Sequence, residues 1–300
     1  MFDRLNLTED LLDCRGGLVA RRGTVLSAEA IAEAARKAPS RPRVALEDGP
    51  LVDDVELPFA DRAYRHLFQG EGIRDAVRNA FRAIRLPEIL WEKLAATRRA
   101  APHLHVHALV TTAVSVRMLL SAVSSPRGVA DLAAAALLHD LGMCHLPPRL
   151  LRHSEGLDSD DAVRVASHPL VGAFLLAALL GPHPAVVAAR AHHWRCGQGY
   201  PTLEKAPSRS IEVISVASAF AALTQPRPFR APYDARGALD VLAREVIAQQ
   251  ADANTVKLLA HALRGGGGDP RTIRFGRERE GHGPEVHRYV HVSAPSRSPV

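Results

Sequence analysis

Ala133-Ala134-Ala135-Ala136-Leu137-Leu138-His139-Asp140-Leu141-Gly142 is the stretch on which the fold turns. Its first six residues form an apolar helix, and His139-Asp140 falls at the C-terminal end of that helix. A charged aspartate beside a histidine at the end of an Ala/Leu helix is costly unless something pairs with it. A metal ion would do so, because imidazole plus carboxylate suits iron, manganese or zinc. The competing reading is a histidine capping the helix C-terminus beside a solvated aspartate. The dipeptide alone does not decide between them.

Outward from this helix the pattern stays helical. Phe59, Ala63 and Leu67, then Ile73, Ala76, Val77, Ala80 and Phe81, follow the three-four spacing of one buried face, with Gly70 and Gly72 between the runs. Further helices are expected over 86–98, 106–123, 129–141, 159–180, 184–193, 209–224, 235–249 and 253–263. The longest apolar run, Pro169 to Gly181, has thirteen residues, against about 20 for a bilayer span, so it is read as a buried helix. Before residue 59 the chain is mixed. Leu11-Leu12 and Gly17-Leu18-Val19-Ala20 read as extended segments around the turn Asp13-Cys14-Arg15-Gly16. Ser27 can cap a helix from Ala28 to Lys37, and 38–58, with four prolines, reads as loop with one strand at 44–46. No internal repeat is visible. The expected organisation is a small α/β module over 1–58, a helical connector over 59–101, a helical domain over 102–264 and a Gly/Arg-rich tail over 265–300. That tail is either disordered or carries one weak strand near 286–292.

Composition narrows the function. The 300 residues are 47% apolar and 23% charged, which fits a globular chain with a sizeable core. Three cysteines are too few and too scattered for a disulfide framework, and Met1-Phe2-Asp3-Arg4 lacks a signal-peptide pattern, so a cytoplasmic location is expected. The net charge of +6 invites a nucleic-acid partner. Only Lys37, Lys93, Lys205 and Lys257 are lysines, however, and half of the excess lies in 264–300, where seven arginines face four acids. No basic stripe is interleaved with aromatics, as single-strand binding would favour. The fifteen histidines are the better clue.

Several of them recur at helix ends. His107 is read as opening a helix, His168 precedes Pro169 at the head of the long apolar helix, and His192-His193 ends the helix that starts at Pro184. The chain then runs through Trp194-Arg195-Cys196 to Gly199-Tyr200-Pro201. Each histidine alone is more often an ordinary core or surface residue. Together, in this order, they are hard to dismiss.

That order resembles the HD-GYP branch of the HD phosphohydrolases. Leu138-His139-Asp140-Leu141-Gly142 followed by Leu146-Pro147 is similar to the family's HDIGK…IP segment. Ala222-Leu223-Thr224 and Arg227-Pro228-Phe229-Arg230 are similar to its DALT…RPYR segment. Residues 10–31 also resemble a small module often found ahead of this domain. The resemblance covers about 10–35 and 102–264. It implies an HD-domain helical bundle with a metal centre that hydrolyses the phosphodiester of cyclic di-GMP. His107, His139, Asp140, His168, His192 and His193 match metal ligands, for one or two iron or manganese ions, with Asp140 also catalytic. Gly199, Tyr200, Pro201, Arg227 and Arg230 match positions that meet the substrate or a protein partner.

The departures matter as much. The family's last metal-binding aspartate is Ser218 here, and the second aspartate of that segment is Ala221. Asp140 is then the one carboxylate left for the centre. Glu212 is no local substitute: six residues earlier on a helix, it points about 240° away. The phosphate-binding lysine of HDIGK is Met143, and losing one such charge stabiliser costs on the order of 10²–10³ in rate. The stretch from His192 to Pro201 is one residue shorter than the family's HHExxDGxGYP, with Cys196 at the aspartate position. A gap after the histidines keeps both ligands and loses the glutamate. An ungapped alignment puts Ala191 in a ligand place and His193 in the glutamate's. The gapped version is preferred because it keeps the pair at the helix end. Two functions remain open. One is a degenerate domain that works by binding cyclic di-GMP, another phosphodiester or a GGDEF-type cyclase, with a homodimer through the 59–98 helices as a further option. The other is an active metal phosphohydrolase with an altered centre. A membrane or nucleic-acid role is disfavoured.

Overall fold

In the computed structural model, residues 3–45, 50–122, 128–151, 158–227 and 230–274 are described. Turn chemistry shapes the N-terminus. β1 (Leu5–Asn6), β2 (Leu11–Leu12), β3 (Leu18–Ala20) and β4 (Val25–Leu26) form two antiparallel ladders, β1 with β4 and β2 with β3. Asp13 closes the expected turn by accepting the amides of Arg15 and Gly17 at 2.9 and 2.8 Å. Ser27 caps α1 (Ala28–Lys37) by accepting the Ala30 amide at 3.3 Å. The expected strand at 44–46 reduces to one bridge between Val44 and Leu86, with Leu46 outside the described residues. Its partner precedes Pro87, which has no N–H to extend a ladder.

The rest of the described residues are mainly helical: α2 (Pro50–Asp53), α3 (Leu57–Ala60), α4 (Ile73–Arg82), α5 (Glu88–Ala100), α6 (Pro102–Ala122), α7 (Val129–Leu138), α8 (Pro148–Leu151), α9 (Ser159–Leu180), α10 (Pro184–Ala191), α11 (Arg209–Thr224), α12 (Ala235–Ile247) and α13 (Ala253–Leu263). A mainly helical fold with a small strand module was the expectation. Four boundaries differ in ways that bear on the site. α6 begins at Pro102, not 106, so His107 lies in its second turn; a proline at the first helical position carries the right φ and lacks only an amide that would be unpaired anyway. α7 stops at Leu138, short of 141, and the chain tightens into a 3₁₀ turn over Leu141–His145. α10 stops at Ala191, short of 193, which leaves both histidines just beyond it. α12 stops at Ile247, and Gln249 takes a left-handed φ of 57°. The run from Phe59 to Leu67 is also broken, by a 3₁₀ turn at Arg62–Tyr64. The tail beyond Arg274, with the strand expected near 286–292, lies outside the described residues.

α6 is the axis. It packs on α11, α7, α5 and α13, and Val110, Ala113, Val114, Val116 and Met118 are within 1% of complete burial. Each fully buried Val or Met contributes about 1.5–3 kcal/mol. α6 and α9 are long and apolar enough to cross a membrane, yet 83% and 78% of their apolar windows are buried against other protein. The segment ahead of α4 is bolted to the bundle: the Tyr64 hydroxyl and Thr224 Oγ1 are 2.9 Å apart and buried. A second tie joins Asp54 to His105 Nε2 at 2.8 Å and to the Arg98 guanidinium, while burial pushes the His105 imidazole down.

One close approach sets the site. Gly142, in the turn after Asp140, lies back to back with Gly172 of α9. A Cβ on Gly142 would fall 2.0 Å from the His168 carbonyl oxygen and 2.8 Å from the Gly172 amide. Only backbone fits there, and the contact presses Asp140 against His168. Gly142→Ala must therefore push α9 away, and it is expected to lower stability by about 1–3 kcal/mol or more. A urea midpoint equal to that of the unmodified chain would refute this account of the contact.

Candidate metal centre

Five helices end at or cross one point. α6 supplies His107, the end of α7 supplies His139 and Asp140, and α9 supplies His168. The residues just after α10 supply His192 and His193, and α11 supplies Ser218. His107, His139, His168, His192 and Ser218 are all at least nine-tenths buried.

Backbone carbonyls aim the imidazoles. His139 Nδ1 donates to the Ala136 carbonyl at 2.7 Å, and His192 Nδ1 donates to that of Ala189 at 2.9 Å. His168 Nδ1 donates to the Val165 carbonyl at 2.6 Å. Pro169 explains the last: lacking an N–H, it leaves the carbonyl four residues back without its helical partner, and His168 takes it. In each ring the proton is therefore assigned to Nδ1, and Nε2 carries a lone pair into the centre. That is the arrangement of imidazoles prepared for a cation. His168 Nε2 and His192 Nε2 are 3.1 Å apart with no proton to share. Asp140 Oδ1 sits 3.1 Å from the first and 3.7 Å from the second, and it is a buried oxygen with no hydrogen-bond donor.

These orphaned groups fit a metal ion. His168, His192 and His193 bring three ligand atoms within 4.8 Å of one another, and so do His107, His139 and Asp140. All six residues singled out in the sequence are thus brought together, as two triads. Burial works against the Asp140 carboxylate, whereas positive charge at the imidazoles of His168, His139 and His192 beside it holds its pKa well below the usual range. Burial, with Arg227 and His139 nearby, pushes His107 down to about 3, and burial drives His139, His192 and His193 down too. Neutral imidazoles and an ionised carboxylate are the forms a metal takes.

Ser218 marks the departure. Its hydroxyl stands between two rings, 3.1 Å from His139 Nε2 and 3.3 Å from His107 Nε2. With Nδ1 of His139 protonated, the hydroxyl donates to one of these nitrogens, and it brings no negative charge. Ala221, one turn further along α11, is fully buried. Glu212 lines a different cavity with Trp194, Arg195 and Asp252, as its angle on the helix requires.

The other singled-out residues divide. Tyr200 stacks on His193, with ring centroids 4.5 Å apart and planes 19° apart. Gly199 lets the loop come this close: a Cβ there would fall 1.8 Å from the His193 carbonyl oxygen. Pro201 follows Tyr200 in a cis peptide, and Cys196 is exposed with a left-handed φ of 51°. Arg227 Nη2 lies 3.4 Å from His107 Nδ1. Arg230 instead turns inward and donates to the carbonyls of Leu223, Ala222 and Ala231, so it holds its own loop; Pro228 and Phe229 lie outside the described residues. Met143 is half-buried in the 3₁₀ turn. Two residues at the centre were missed. Gln225 Oε1 is 3.3 Å from His107 Nδ1, and nothing in the sequence pointed to it. His103 feels both Arg227 and Asp140, and its four-residue spacing from His107 would have placed both on one helix face.

A family profile described as an HD domain matches residues 90–254. Over 129 residues the chain is 29% identical to the 3'3'-cGAMP-specific phosphodiesterase 1 of Vibrio cholerae, a match spanning 41% of this chain and 29% of that protein. Among solved structures, the HD domain of the L. monocytogenes phosphodiesterase PgpH is similar at 15% identity and a TM-score of 0.46, covering 58% of this chain and 95% of that one. Bd1817, an HDG"Y"P protein from Bdellovibrio bacteriovorus, is similar at 14% identity and a TM-score of 0.46, covering 87% and 95%.

The buried imidazoles set a pH dependence. His107 and His145, pushed down mainly by burial to about 3 and about 4, stay neutral in the folded chain, whereas unfolding returns them to the ordinary 6.5. Below pH 6.5 the unfolded state binds the extra protons, so stability falls as pH falls, by about 1.4 kcal/mol per pH unit for each such group. Asp140, lowered by folding, adds a loss only below about 3.9. The metal-free protein is expected to lose Tm steadily from pH 7 to pH 5; a flat calorimetric profile over that window would contradict the assigned protonation states.

Proposed function

The chain belongs to the HD-domain family, and from that premise we propose that it is an HD-GYP-like signalling protein that binds a cyclic dinucleotide through one metal position and hydrolyses it slowly or not at all. The observation that carries this reading is the neutral Ser218 hydroxyl between His139 and His107. It leaves Asp140 as the only carboxylate in either triad.

Charge decides between one ion and two. Asp140 with one divalent ion leaves a single positive charge, which one phosphodiester group neutralises. A second divalent ion would leave two further charges buried among neutral imidazoles, at a cost that no further carboxylate in either triad offsets. Asp140, His168, His192 and His193 would hold the ion, with His107 and His139 facing the weaker position. A bound ion would neutralise phosphate oxygens and acidify water. The chain's own part is to orient. The carbonyls of Val165 and Ala189 fix the imidazoles, and Tyr200 braces His193. Arg227, beside His107, is placed to meet a phosphate. With Met143 at the lysine position of the family pattern, the half-buried 3₁₀ turn supplies a thioether there instead of a charge. A cytoplasmic location and a protein partner at the Gly199-Tyr200-Pro201 loop, such as a GGDEF-type cyclase, belong to the same proposal. The cyclic dinucleotide named for the V. cholerae relative supports the ligand class.

The second triad, whose three ligand atoms also lie within 4.8 Å of one another, favours the alternative of an active phosphodiesterase with an altered centre. Metal analysis with cyclic di-GMP and 3'3'-cGAMP assays separates the two. The expected result is about one metal per chain, binding of a cyclic dinucleotide, and turnover on the order of 10²–10³ below that of a Ser218→Asp, Met143→Lys double variant. Two metals per chain, with brisk turnover abolished by Asp140→Ala, would establish the alternative.

A further inference from the structure

Away from the metal centre, a cleft opens between α2, α4, α5, α6 and α7. It is partly open to solvent and leaves about 50 Å³ into which the centre of a water-sized group can enter. Its walls are apolar: Val52, Phe81, Trp91, Leu94, Leu109 and Leu137. One polar group inside lacks a partner. His105 is 4% exposed, and its Nδ1 is buried with no hydrogen-bond partner.

The other ring nitrogen defines what Nδ1 needs. His105 Nε2 lies 2.8 Å from Asp54 Oδ2, and a carboxylate accepts, so Nε2 carries the proton. Nδ1 is then a buried, unpaired lone pair on a residue that lines the apolar cleft, and an acceptor left unpaired in such a place is costly. Nothing else on the walls meets it. The Trp91 indole N–H is given to the Val44 carbonyl at 3.1 Å. The charges at the mouth are balanced, because Arg78 is paired with Glu56 and Asp75, and Arg82 stands exposed on the rim.

We propose that this cleft binds a small uncharged aromatic molecule bearing one O–H or N–H donor, its ring between the apolar walls and its donor on His105 Nδ1. The site is distinct from the metal centre. His105 and His107 are two residues apart on α6, about 200° around the helix, and face opposite sides.

Phenol and toluene test this, because they share a ring and differ in the donor. Each is titrated into the full chain by calorimetry. Phenol is expected to bind saturably and at least about fivefold more tightly than toluene, the lower end of what a buried hydrogen bond commands. His105→Phe is expected to abolish that preference. Val52→Trp, which fills the mouth from a half-buried position on α2, is expected to weaken both ligands about tenfold or more. Should His105→Phe not fold, the phenol-to-toluene ratio and Val52→Trp still decide. Equal affinity for the two would overturn the role of Nδ1. Phenol binding that Val52→Trp leaves unchanged would place the site elsewhere, and absence of saturable phenol binding up to its solubility limit would mean the cleft holds water only.

Discussion

The Asp140 carboxylate, enclosed by imidazoles, is the constraint on which the bundle depends. A buried anion needs a counter-charge, and the rings that would share a cation with it come from segments far apart in the chain: His139 beside it, His168 from α9 and His192 from beyond α10. Segments that place His168 Nε2 3.1 Å and His192 Nε2 3.7 Å from one carboxylate oxygen have little freedom left in how they pack. The Gly142–Gly172 contact shows the consequence. Two backbones touch there because any side chain between them would move Asp140 away from His168.

The same economy governs the rings. A helix ending leaves carbonyls without partners, and Pro169 leaves one in mid-helix. The structure meets both needs with histidine Nδ1–H groups, at Ala136, Val165 and Ala189. One hydrogen bond thus completes the backbone and aims Nε2. Histidine at a helix end is consequently more informative than histidine elsewhere, because its ring orientation is fixed by the termination itself.

This is why much of the centre was legible in the sequence. His139-Asp140, His168-Pro169 and His192-His193 announce themselves by standing where apolar helices end or carry a proline. Their meeting at one point required only that those helices pack. Glu212 was correctly set aside by helix angle alone. What stayed hidden had no such marker. Gln225 reaches His107 from the chain following α11, a position fixed by tertiary packing and not by periodicity. Arg230 looked like a site residue, yet a buried guanidinium must find acceptors, and the nearest were the carbonyls of its own loop. His103 was obscured by the placement of the α6 start at 106, which left it in a loop when Pro102 had already begun the helix.

Ser218 connects the chemistry of the centre to its mechanics. A carboxylate shared with a metal would tie α11 to α6 and α7 by charge, whereas a hydroxyl at 3.1 and 3.3 Å from two neutral rings offers one hydrogen bond at a time. Such a bond is worth about 0.5–1.5 kcal/mol, so the gap between His107 and His139 is held mainly by packing. The packing at that gap is shared with the apolar cleft. Leu109 follows His107 by two residues on α6, and Leu137 precedes His139 by two on α7, so each helix shows one face to the cleft and the other to the centre. With a hydroxyl at Ser218, the two rings are positioned mainly by the hydrophobic contacts behind them.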